Sequence, residues 1–150
     1  MTYDWKAAEA AAYLQSVRDS HRDLIRLQAS VDLNADMAHG IDYTADRGSG
    51  SHDQLERMAE RLIEASEAYA AELAAWVELQ AEAHRCINRM DDARYRSVLE
   101  LYYVDAMPWE DVGEAIGYST VWCKQLRMEA LPAFWDVMPV HAKTAIPRAD

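Results

Sequence analysis

Ala10, Leu14, Val17, Leu24 and Val31 fall on alternating spacings of four and three, with His21 and Gln28 completing the series and Tyr13 and Leu27 beside it. That is one face of an amphipathic helix, and it predicts a helix from about Asp4 to Leu33, roughly 45 Å long. A second series is more regular. Leu55, Leu62, Tyr69, Trp76, Ala83 and Met90 recur every seven residues, flanked by Met58, Ala59, Ala65, Leu73, Leu79, Cys86 and Ile87. The resulting apolar face is wider than a two-stranded seam needs. Ser51 with Gln54 three residues later makes a capping-box pattern and predicts a helix start near His52 or Asp53.

Glycine and proline are absent from residues 1–39 and 51–107, whereas Gly40, Gly48 and Gly50 crowd the interval between. Two long helices joined by a loop bury their stripes most simply as an antiparallel hairpin. The hairpin is assigned to residues 1–91, with the loop at about 34–51. Asp91 and Asp92 favour a new helix start, Ala93 to about Val104, with Tyr95, Val98, Leu99 and Tyr102 on its apolar face. Pro108 ends that segment and opens a short helix, Trp109 to Ile116, which Gly117 stops. Ser119 is a good N-cap for a fifth helix, Thr120 to Leu131, expected to end at Pro132. The predicted fold class is all-α: a long antiparallel helical hairpin, a three-helix helix-turn-helix domain at 92–138, and a disordered tail at 139–150.

Composition supports the helical reading, since alanine outnumbers valine and isoleucine together. Charge narrows the function. A net charge of −11 excludes a chain whose whole surface binds polyanions, so any nucleic-acid contact is local. The acid is concentrated in residues 1–93, with 9 basic and 18 acidic side chains, against 4 and 7 in residues 94–138. The hairpin would therefore be repelled by DNA. Cys86 and Cys123, 37 residues apart, fit neither a disulfide scaffold nor a paired-cysteine zinc site and point to a reducing cytoplasm. Charges at Asp4, Lys6 and Glu9 do not suit a signal peptide, and the longest uncharged run, Ala115 to Cys123, has nine residues where a membrane span needs about 18. No membrane partner is expected.

The most specific pattern is Trp109-Glu110-Asp111-Val112-Gly113-Glu114-Ala115-Ile116-Gly117-Tyr118-Ser119 followed by Cys123 and Leu126. Its spacing suits a helix-turn-helix. Gly113 would sit where the helices approach closely and Gly117 at positive φ, with Val112, Ile116, Tyr118, Cys123 and Leu126 turned inward. An ordinary corner in a helical bundle has the same spacing. Together with Arg94-Tyr95-Arg96, Val98-Leu99, Leu101-Tyr102-Tyr103 and Ala130-Leu131, these residues resemble region 4 of sigma-70-type factors. More closely, they are similar to phage late-transcription regulators of the ArpU and RinA type, over roughly residues 10 to 135.

The resemblance implies a DNA-binding regulator of phage or prophage gene expression. It implies that Ser119 caps a recognition helix and that Thr120, Val121, Trp122, Lys124, Gln125 and Met128 face the major groove, with Arg127 reaching a phosphate. If Lys124 and Arg127 each neutralise one phosphate, the salt slope is only about −2. Host RNA polymerase, or homodimerisation through the hairpin, would then supply the remaining affinity to double-stranded DNA.

Trp122 suits a helix-face contact with a neighbour better than stacking on a base, since aromatic anchors are common at protein interfaces. The alternative is thus a protein-interaction module with an architectural helix-turn-helix, such as a phage DNA-packaging or polymerase-binding accessory protein. The five histidines are scattered, and His84 and Cys86, two residues apart, point to different helix faces, so no metal is expected. No phosphate loop, nucleophile elbow or paired catalytic carboxylate occurs, so neither enzymatic activity nor a cofactor is expected.

Overall fold

A computed structural model of the chain describes residues 4–40 and 49–143. Among the described residues every regular element is helical: α1 (Trp5–His39), α2 (Ser49–Ile87), α3 (Ala93–Leu99), α4 (Trp109–Ile116) and α5 (Thr120–Trp135). A π-turn (Glu100–Val104) continues α3 directly, and a short 3₁₀ turn (Val140–Ala142) follows α5. The long antiparallel helix pair and the helical domain after it are as the periodicities indicate.

Four boundaries differ from the sequence expectations. α1 runs to His39 instead of stopping at Leu33, because its stripe continues through Asn34, Ala35 and Ala38. Asn34 is accommodated by donating its side-chain amide to the Ser30 carbonyl at 2.8 Å. α2 is already helical at Ser49, ahead of the start expected near His52 or Asp53. The remainder of the expected loop, residues 41–48, lies outside the described residues.

Pro132 does not end α5, which continues for three more residues. The carbonyl deprived of its partner belongs to Met128, on the exposed side where water can satisfy it, while buried Leu131 and Phe134 hold the last turn in place. In the expected tail, Pro139 to Lys143 pack back: His141 Nε2 lies 2.9 Å from Glu82 Oε2, and Lys143 Nζ sits 4.2 Å from the Trp135 ring centroid. Residues 144–150 of that tail lie outside the described residues.

The chain forms two compact units that differ from the expected split at residue 91: Met1–His21 with Val77–Asp150, and Arg22–Trp76. α1 and α2 contribute to both. In the first unit, Ala10, Leu14 and Val17 of α1 join Ala83 and Ile87 of α2, Val98, Leu99, Val112, Leu126 and Phe134 in a core of almost fully buried side chains. Tyr13 stacks on Phe134 with ring centroids 6.0 Å apart and donates its hydroxyl to Glu82 at 2.7 Å. Trp135 donates its indole N–H to Glu9 at 2.8 Å and meets Trp5 edge-on. The first turns of α1 are therefore part of the helix-turn-helix core.

The second unit has no comparable interior. Leu24 is its one buried side chain among the described residues, and Leu27, Val31, Leu55, Leu62, Tyr69 and Trp76 are partly covered along the seam. Leu73, expected in the apolar face beside the heptad series, is exposed.

Candidate nucleic-acid interface

The contacts described below that orient α5 lie within the first unit. Asp92 caps α3 by accepting from the Arg94 and Tyr95 amides, as the paired acids there suggest. α4 begins after extended Pro108, whose carbonyl receives the Asp111 and Val112 amides. Gly117 closes α4 at φ 86°, and the Gly113 carbonyl accepts from both Gly117 and Tyr118. A β-carbon on Gly113 would lie 2.7 Å from the Tyr118 carbonyl oxygen, so the close approach demanding glycine is to the turn itself. Ser119 then caps α5 by accepting from the Trp122 amide at 3.1 Å.

An aromatic and cationic stack fixes this pair of helices to α1. The Arg18 guanidinium lies 4.1 Å from the Tyr102 ring centroid, Tyr102 stacks on Trp109 at 4.0 Å, and the Arg127 guanidinium lies 5.2 Å from the Trp109 centroid. Arg18 also donates to the Tyr102 and Met107 carbonyls, while His21 Nδ1 lies 2.7 Å from the Val104 carbonyl oxygen. Backbone groups freed by the π-turn and by Ala106, which has positive φ, are thereby engaged from α1.

Two expectations change. Arg127 is turned inward and half-buried over Trp109, because it lies one turn after Cys123 on the inner side of α5. Its guanidinium is engaged in the stack and is not extended toward a phosphate. Tyr118, expected to point inward, is 39% exposed; it follows the left-handed Gly117, which directs the chain outward before α5 begins. Val112, Cys123 and Leu126 are buried as expected, and Ile116 is half-buried.

The remaining candidate residues form the outer surface of α5. Val121, Gln125 and Met128, spaced by four and three, make its central row; Val121 is 76% and Met128 56% exposed. Exposed Lys124 flanks the row on one side and Trp122, 40% exposed, on the other. Thr120 is half-buried beside the Ser119 cap. Glu110, Asp111 and Glu114 of α4 are exposed and acidic, so α4 adds no attraction for phosphate.

Other reactive groups are accounted for by packing. Cys86 and Cys123 are free and buried, and burial pushes both thiols up, away from the nucleophilic thiolate. His84 pairs with Glu100 at 2.8 Å, on a different side of α2 from Cys86. Among the described residues no three His, Cys, Asp or Glu side chains come together as a metal site, and no helix is long and apolar enough to cross a membrane.

No curated protein and no solved structure matches the chain. A family model described as "Protein of unknown function (DUF1492)" matches residues 43–132, more than half of the sequence, through all of α2, α3 and α4 and most of α5. The chain belongs to the DUF1492 family.

Proposed function

We propose that this protein is a sequence-specific DNA-binding transcription regulator of phage or prophage, similar to region 4 of sigma-70-type factors, with α5 entering the major groove. The observation that carries this reading is the Ser119-capped α5, which follows a three-residue turn and presents Val121, Gln125 and Met128 outward beside Lys124. Its helix-turn-helix is a recurrent way of offering a helix to base edges. On this reading the protein works in the host bacterial cytoplasm, catalyses nothing and needs no cofactor.

With Arg127 held over Trp109, Lys124 is the one cation that α5 presents outward. One neutralised phosphate gives a salt slope of about −0.9. Affinity must then come from a second copy or from host RNA polymerase, and the acidic unit of residues 22–76 is the candidate contact for either. Five basic and eleven acidic side chains lie in that unit.

The second reading, a protein-interaction module, is favoured by the apolar exposure of Tyr118, Val121, Trp122 and Met128. Selection of bound duplexes from a random library, with and without host RNA polymerase, separates the two. The regulator reading expects an enriched motif whose preference relaxes with Gln125→Ala, and uniformly weaker binding with Lys124→Ala. No enrichment in either condition, together with a protein captured through Trp122, would establish the module instead.

A further inference from the structure

We infer that the base pairs read by α5 are A·T pairs, recognised by apolar contact with thymine methyl groups and by Gln125 on adenine; this rests on the DNA-binding reading above. Each base pair shows its own pattern in the major groove. Thymine is distinguished by its C5-methyl group, adenine by an acceptor and donor that an amide side chain can bridge, and guanine by two acceptors best met by an arginine fork or a lysine. The outer row of α5 matches the first two of these. Val121 and Met128 stand one on each side of Gln125, both more than half exposed among the described residues.

The complement to guanine is much weaker. Arg127, the only arginine in α5, has its guanidinium 5.2 Å from the Trp109 centroid and is half-buried, so the helix offers no fork to a guanine. Lys124 projects from the flank of the row, where one ammonium reaches the sugar-phosphate backbone or a single acceptor at the edge of the site. The apolar exposure that favours a protein partner on grounds of hydrophobicity is also what a groove lined with thymine methyl groups would cover. Valine and methionine in the central row are then specificity determinants.

The test uses the full-length protein and the best duplex from the library selection, with host polymerase present if binding requires it. Thymines in the enriched motif are replaced one at a time by deoxyuridine, which pairs identically and lacks only the methyl group. Where Val121 or Met128 contacts a methyl group, affinity should fall about three- to fivefold, the loss expected for one buried methyl. Val121→Ala, at a position too exposed to affect folding, should abolish the difference between thymine and deoxyuridine at one base pair while leaving it intact at the other. An enriched motif dominated by G·C pairs, or deoxyuridine binding as well as thymine throughout, would overturn the inference and leave the regulator reading standing. Absence of any selective binding, with and without polymerase, would remove both.

Discussion

Between Ala10 and Val17, α1 buries four apolar side chains, Ala10, Tyr13, Leu14 and Val17; farther along the same helix Leu33 is 60% exposed. The same contrast appears in α2, where Ala83, Cys86 and Ile87 are buried but Ile63 and Leu73 are exposed. The sequence pattern hardly changes along either helix. What changes is the number of neighbours: in the unit of residues 1–21 and 77–150, α3, α4 and α5 supply further apolar faces, whereas the described residues of the unit 22–76 are two helix segments alone. Two helices cover a narrow seam, and a face wider than that seam leaves apolar surface over. An apolar periodicity therefore shows which side of a helix turns inward and is silent about how deeply it will be buried.

Core truncation should show the contrast at its largest. Phe134→Ala removes a fully buried ring stacked on Tyr13 and should cost ~3 to 5 kcal/mol. Trp76→Ala removes a larger aromatic from the partly covered seam and should nevertheless cost clearly less, about 1 to 2 kcal/mol, since its transfer term is incomplete and no closed cavity remains. Urea melts of both variants check the ordering. Equal losses would mean that the two units are packed alike.

Next in size is the turn that orients α5. Gly117→Val forces a β-branched residue to φ 86° although open space surrounds the position, so the penalty is purely conformational, at least about 1 to 2 kcal/mol. Gly113→Val adds a clash with the Tyr118 carbonyl oxygen and should be worse. Both belong to the first unit, so hydrogen exchange should accelerate in α4 and α5 and remain unchanged across residues 22–76. Native melting and exchange in Gly117→Val would contradict the turn geometry.

The smallest effect concerns pH. Burial would raise the Glu82 carboxyl, but hydrogen bonds from His141 and Tyr13 outweigh it and hold the group below its ordinary value. A lowered carboxylate contributes stability above its unfolded pKa, about 4.3, and loses it as pH falls through the folded value. Glu82→Gln should therefore melt lower than the parent at neutral pH, with the gap narrowing below about pH 4. A gap independent of pH would show that the charge on Glu82 is not what ties His141 and Tyr13 to α2.

Much of the first unit was legible because its signals are local. Pro108, Gly117 and Ser119 set the limits of α4 and the start of α5 through backbone restrictions and capping that need no knowledge of the rest of the fold. Pro132 misled because its cost depends on whether one carbonyl reaches water and whether Phe134 finds a core, both tertiary matters. Arg127 was half legible. Its place one turn after Cys123 puts it on the inner side of α5, but only the fold brings Trp109, Tyr102 and Arg18 together to receive it. The involvement of α1 in the helix-turn-helix core was not legible at all, since no sequence pattern couples Arg18 to carbonyls more than eighty residues away.

The central proposal is that the outer face of α5 contacts DNA while the unit of residues 22–76 does not. Photo-crosslinking tests it most directly, with a benzophenone side chain replacing either Val121 or Ile63, both exposed, in complexes with the selected duplex and host RNA polymerase. The account predicts crosslinks to DNA from position 121 and to protein, or to nothing, from position 63. Crosslinks from position 121 to protein alone would contradict it.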